Sequence, residues 1–178
     1  MQKIAPCLWF DDQAQPAAEF YVSVFENSRI LHIGYYGEPG PRPVGMVMEV
    51  RFEIGGQEFL ALNGGPEFTL SPAVSFMANC ETQDEIDRLW EQLSEGGEKN
   101  VCGWLQDKFG VSWQVVPAKL AEWMSTADQA QAIADSVVTR PGASPRLALD
   151  RTIDRIVTSL LQYARPRTPE LRASTLAS

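Results

Sequence analysis

The chain has 178 residues, 44% of them apolar and 21% charged, and a formal net charge of −8. That composition supports one domain, or two small pseudo-repeats sharing a core, and excludes wholesale disorder; no apolar run reaches the about 20 residues of a membrane span. Residues 1–138 hold 8 Lys+Arg against 20 Asp+Glu while residues 139–178 hold 7 Arg against 3 acids, so the acidic body argues against nucleic acid or an anionic membrane as the main partner.

The first strand is expected over Ile4 to Phe10, with Asp11 and Asp12 after it as N-cap candidates. The next segment places Ala14, Ala17, Ala18, Tyr21, Val24 and Phe25 at three-four spacing, which predicts a helix with one apolar face, and Pro16 falls near its first turn. Arg29 to Tyr36 reads as a strand, and residues 37–45 as a loop dense in Gly and Pro. Met46 to Ile54 alternates, Gly55-Gly56 makes a hairpin turn, and Gln57 to Asn63 returns.

The pattern then restarts. Ala73 to Cys80 is a strand; Thr82 and Glu85 form a capping box; the helix behind them buries Ile86, Leu89, Trp90 and Leu93; Gly96-Gly97 closes it. Glu98 to Val101 is a weak strand, and Asn100 to Asp107 with Val111 to Val116 make a hairpin. Two copies of strand, capped helix and antiparallel strands, offset by about 71 residues between Ile4 and Ser75, suggest two βαβββ modules and not a solenoid. Residues 118–134 are alanine-rich and expected to be helical, 139–145 read as a linker, and Leu149, Ile153, Ile156, Val157, Leu160 and Leu161 form an amphipathic stripe.

Chemistry-bearing motifs are few. Three cysteines, Cys7, Cys80 and Cys102, without CxxC spacing give neither a disulfide framework nor a cysteine zinc site and point to a reducing cytoplasm; nothing at the N-terminus reads as a signal peptide. His32 is the single histidine and fits a surface strand position better than a lone base. There is no dinucleotide fingerprint, Walker loop, HExxH or GxSxG. Trp104 and Trp113 lie in the dense hairpin from Cys102 to Gln114, where tryptophans beside amides such as Gln114 and Asn63 suit an apolar ligand with one or two polar anchors.

Four segments, LWFDDQAQPAAEFYVSVF, FLALNGGPEF, VSFMANCETQDEIDRLWEQL and CGWLQDKFGVSWQVVP, resemble the PhnB-like family of the glyoxalase, bleomycin-resistance and extradiol-dioxygenase (vicinal oxygen chelate) superfamily. The resemblance covers about residues 2–135. It implies an α+β fold of paired βαβββ modules, about 2–66 and 72–117, curled as a mixed sheet around a cavity in a domain over 1–135; the tail departs from the family's usual end, and its charge and stripe make 136–178 a basic, partly helical extension. It also implies a homodimer. The family bears the label 3-demethylubiquinone-9 3-methyltransferase, whereas a typical S-adenosylmethionine methyltransferase needs a parallel sheet with a glycine-rich first turn, and the chain has neither.

In metal-binding superfamily members four strand positions supply His, Glu, His and Glu. By resemblance these fall on Ile4, Asn63, Ser75 and Gln114; the run from Asp107 through Gly110 to Gln114 fits D-x-x-G-x-x-x-E with Gln for Glu. Amides and a hydroxyl hold a dication poorly, so no metal and no cofactor are expected. The cavity candidates are Ile4, Leu8, Phe59, Asn63, Ser75, Met77, Trp104, Ser112 and Gln114. The leading reading is a cytoplasmic, metal-free dimer that binds or sequesters a small molecule, with neither nucleic acid nor membrane as partner. A metal-dependent lyase, isomerase or dioxygenase using Glu49, Glu53 or Glu58 is the alternative, and an interaction protein working through its basic tail is the third.

Overall fold

The computed structural model describes residues 2–120. Ten elements follow in order: β1 (Cys7–Phe10), α1 (Ala14–Val24), β2 (Ser28–Tyr35), β3 (Val47–Ile54), β4 (Gln57–Asn63), β5 (Phe76–Cys80), α2 (Gln83–Ser94), β6 (Glu98–Lys99), β7 (Trp104–Gln106) and β8 (Ser112–Pro117). They form two mixed four-stranded sheets, ordered β1-β4-β3-β2 and β5-β8-β7-β6. Each first strand runs parallel to its module's last strand, and the remaining neighbours are antiparallel. The fold is therefore α+β, two βαβββ modules of matching topology, with neither sheet closed. Both modules lie in one compact unit over residues 1–121. The expected helix over 118–134 lies outside the described residues from 121 onward, as do the linker and the stripe from Leu149. Among the described residues no helix is long and apolar enough to cross a membrane.

The local signals act where their chemistry requires. Gly55 and Gly56 take φ of 52° and 86°, a region that favours glycine and matches the twist of a two-residue hairpin. Thr82 Oγ1 accepts the Glu85 N–H at 3.2 Å, while Glu85 Oε2 reaches back to the Glu81 N–H at 2.8 Å, so the capping box closes one residue before the cap. Helix α1 starts differently from expectation. Its N-cap is Gln13, without a side-chain bond. Asp11 instead pairs with Arg42 at 2.8 Å. The first helical N–H, on Ala14, is met by Asn63 Oδ1 from the end of β4 at 2.7 Å. A long-range contact thus replaces the local cap, because β4 ends beside the helix start.

The core lies between each sheet and its helix. Ala14, Ala17, Ala18, Tyr21 and Val24 of α1 meet Leu8, Phe10, Val50, Phe52, Phe59 and Ala61 of the first sheet, while Ile86, Leu89 and Leu93 join Leu105, Trp113 and Val115 of the second. A run of rings joins the modules. Centroids lie 5.3 Å apart for Phe52–Phe59, 5.3 Å for Phe59–Phe76, 5.5 Å for Phe76–Trp113 and 5.4 Å for Trp113–Tyr21. Burying each such side chain is worth roughly 1.5–3 kcal/mol. Arg88 of α2 adds a polar tie, donating to the Val24 carbonyl at the end of α1 at 2.8 Å.

Candidate functional site

On the second sheet, register sets Met77 opposite Gln114 and Gln114 opposite Trp104. Paired residues on neighbouring strands share a side, so these three form one row across β5, β8 and β7. Their chain neighbours Phe76, Trp113 and Leu105 make the matching row on the other side, in the core. Met77 is 53% exposed, and Gln114 and Trp104 are half-buried. Ser75, just before β5, accepts a hydrogen bond from Gln114 Nε2 at 2.8 Å. Ser112 lies two residues along β8 and is buried, opposite Gln106. The site therefore brings together Ser75, Met77, Trp104 and Gln114, with Ser112 on the same side of β8.

The first-module candidates go elsewhere. Leu8 and Phe59 are core residues beneath α1. Ile4 precedes β1 and is 85% exposed. Asn63 is 2% exposed. Its Oδ1 accepts from Ala14 N, its Nδ2 donates to the Val47 carbonyl at 3.0 Å, and its own carbonyl accepts the Tyr36 hydroxyl at 2.7 Å. Its side-chain amide and its carbonyl are engaged in holding α1, β3 and the end of β2 together.

The repeat itself explains the difference. Gly64 N bonds the Phe10 carbonyl after β4, and Ala118 N bonds the Cys80 carbonyl after β8. Matching these bonds makes Cys7 the counterpart of Met77, Leu60 of Gln114, Arg51 of Trp104 and Ala5 of Ser75. The counterpart of Gln114 is Leu60. Asn63 lies three residues further on, and an odd offset along a strand turns it to the opposite face.

The residues present do not fit a dication. Ser75 and Gln114 offer one hydroxyl and one amide, already bonded to each other, without the carboxylate or imidazole that offsets a metal's dehydration. Among the described residues no group of three or more His, Cys, Asp and Glu side chains is placed to hold an ion. Two of the three alternative carboxylates are engaged: Glu53 pairs with Arg29 at 3.0 Å and Glu58 with Arg51 at 3.3 Å. Cys7 is exposed on the face of Leu60 and Arg51, and partial burial, with Glu49 nearby, lifts its thiol above the usual range. Burial pushes the Cys80 thiol up to about 12, with Glu85 adding to the shift and Arg88 opposing it.

Trp113 and Trp9 are structural. Trp113 is 4% exposed and donates Nε1–H to Asp107 Oδ2 at 2.8 Å. Trp9 donates to the Gly65 carbonyl at 2.8 Å and packs edge-on to Phe68. Asp107 is the residue that sequence reasoning passes over. It is 3% exposed and accepts four bonds, from Tyr21, Trp113, Phe109 N and Val111 N. The available signal was its place at the head of the D-x-x-G turn, followed by a tryptophan.

A family model described as 3-demethylubiquinone-9 3-methyltransferase matches residues 2–116. The chain belongs to this PhnB-like family. A PhnB protein from Bacillus cereus bearing the same methyltransferase name is 37% identical, with 65% of this chain and 99% of that chain covered at a TM-score of 0.59. Protein PA1353 from Pseudomonas aeruginosa is 22% identical over 66% of this chain and 98% of that one, at a TM-score of 0.55. The fosfomycin resistance protein FosX from Mesorhizobium loti shares the fold at 12% identity, covering 71% of this chain and 100% of its own, at a TM-score of 0.51. No functionally curated protein matches the sequence. The PhnB-like chain thus has the glyoxalase/bleomycin-resistance fold, and its function must be argued from its own site.

Proposed function

We propose that this PhnB-like chain binds or sequesters a small molecule without a metal, as a cytoplasmic homodimer, using the open face of its second sheet. The observation that carries the reading is the Ser75–Gln114 hydrogen bond at 2.8 Å beside the half-exposed Met77 and Trp104. It puts neutral donors and acceptors next to an indole and a thioether, a combination that orients a ligand without a charge or a nucleophile. Ser112, two residues along β8, lies on the same side of the strand as Gln114. The acidic body supports a small-molecule partner over nucleic acid, and the free cysteines support a reducing compartment.

Native mass spectrometry on untagged full-length protein, purified without chelator, tests this. The expected species is a dimer at twice 19.8 kDa, free of metal and carrying or accepting a small molecule. One tightly held metal per chain would overturn the metal-free reading and place the metal-dependent enzyme first.

A further inference from the structure

We infer that the Ser75–Gln114 face selects a neutral, planar ligand that presents a hydrogen-bond donor and an acceptor side by side, the simplest such group being a carboxamide or lactam on an aromatic ring. This rests on the binding reading above and deepens it by naming the chemistry of the ligand.

The polar anchors set the pattern. Gln114 Nε2 donates to Ser75 Oγ, so the serine's own hydrogen remains to be donated. Gln114 Oε1 accepts no hydrogen bond among the described residues. An acceptor, Gln114 Oε1, and two donors, the second Gln114 Nε2 hydrogen and the Ser75 hydroxyl, therefore stand on neighbouring groups. A carboxamide edge, with N–H and C=O together, meets both. A carboxylate offers acceptors only and leaves Gln114 Oε1 without a donor.

The apolar flanks set the shape. Met77, Gln114 and Trp104 sit in register on three adjacent strands, a row about 10 Å across at the usual strand spacing. That span suits one aromatic ring and its substituent, with the indole of Trp104 on one side and the adaptable thioether of Met77 on the other.

Charge separates this face from its counterpart. No charged side chain stands in the row. Glu98, the acid on β6, is in register with Gln106, one row away from Trp104. A charged ligand would lose water without gaining a direct counter-ion. In the first sheet the equivalent positions hold Cys7, Leu60, Arg51 and Ala5, and Arg51 is paired with Glu58. That face lacks the donor–acceptor pair, which makes one site per chain.

The test uses three probes of one shape: benzamide, benzoate and benzamidine. Each is titrated into the full chain while the Trp104 indole N–H is followed by NMR, assigned through Trp104→Phe. Benzamide is expected to shift that signal saturably, one site per chain, with affinity about tenfold above either charged probe. Gln114→Ala should weaken benzamide about fivefold, the loss of one neutral hydrogen bond. Gln114→Glu should reverse the order in favour of benzamidine. Met77→Ala, at an exposed position, should keep the fold and weaken all three probes alike. If benzoate or benzamidine binds the wild-type face as tightly as benzamide, the ligand class is wrong and the binding face stands. If none of the three moves the Trp104 signal, the binding reading falls with it.

Discussion

The Tyr21 hydroxyl donates to Asp107 Oδ2 at 2.8 Å, joining two residues 86 positions apart. Tyr21 is on the first module's helix, and Asp107 heads the turn before the second module's last strand. Both are buried, and the same carboxylate orders its own turn through Phe109 N and Val111 N. One carboxylate thus ties the helix of one module to the hairpin of the other, and Trp113 completes the junction.

Tyr21→Phe removes one donor from a buried carboxylate while keeping the ring contacts. The expected cost is about 1–3 kcal/mol in urea unfolding, since a buried acceptor loses a partner that water cannot replace. An unchanged midpoint would show that the bond contributes nothing to joining the modules.

The same variant carries a pH signature. Burial lifts the Asp107 carboxyl above its ordinary value, and the bonds from Trp113, Tyr21, Val111 and Phe109 oppose that shift. A carboxyl raised in the folded state contributes most stability below its unfolded pKa, and that contribution declines as pH rises through the folded value. Removing the Tyr21 bond raises the folded value further. The deficit of Tyr21→Phe should therefore be smallest near about pH 4 and grow toward about pH 7. A deficit constant with pH would detach the bond from the charged form of Asp107.

Asn63 and Gln114 should separate stability from binding. Asn63→Ala leaves Ala14 N and the Val47 carbonyl without partners, at an expected cost of about 2 kcal/mol. Its effect on ligand affinity should be slight at temperatures where the variant is folded. Gln114→Ala should change stability by less than about 0.5 kcal/mol and impair binding. Paired thermal melts and titrations check both; strong binding loss in folded Asn63→Ala would return that residue to the site.

The cysteines should report their surroundings. Burial and Glu49 both raise the Cys7 thiol, so native alkylation at about pH 8 should be slow, and Glu49→Gln should quicken it about twofold. Cys80, buried and pushed up to about 12, should label only on unfolding. Mass mapping of iodoacetamide adducts over time reads both sites; an unchanged Cys7 rate in Glu49→Gln would rule out the influence of that carboxylate.

Much of the architecture is legible along the chain because its causes are local. Three-four spacing gave the buried face of α1, the Thr82–Glu85 box gave the start of α2, and Gly55-Gly56 gave the hairpin. The D-x-x-G run placed Gln114, whereas Ser75 was assigned by the four-position resemblance and not by a motif of its own. Asn63 was misleading for a physical reason. Its strand was correctly bounded, but an amide at a strand end can serve a ligand or a neighbouring helix with equal chemistry. Only the position of Ala14 decides between them.

The sequence by itself therefore determined the modules, their caps and turns, and the alternation that divides each strand into two faces. Alternation does not say which face meets a helix, because period two is satisfied equally by either choice. Tertiary packing decided that. The helices took Leu8, Phe59, Asn63 and Trp113, leaving Met77, Gln114 and Trp104 as the open row. The Tyr21–Asp107 bond was out of reach for the same reason: its two halves are polar groups in separate modules, and they meet only after both cores have formed.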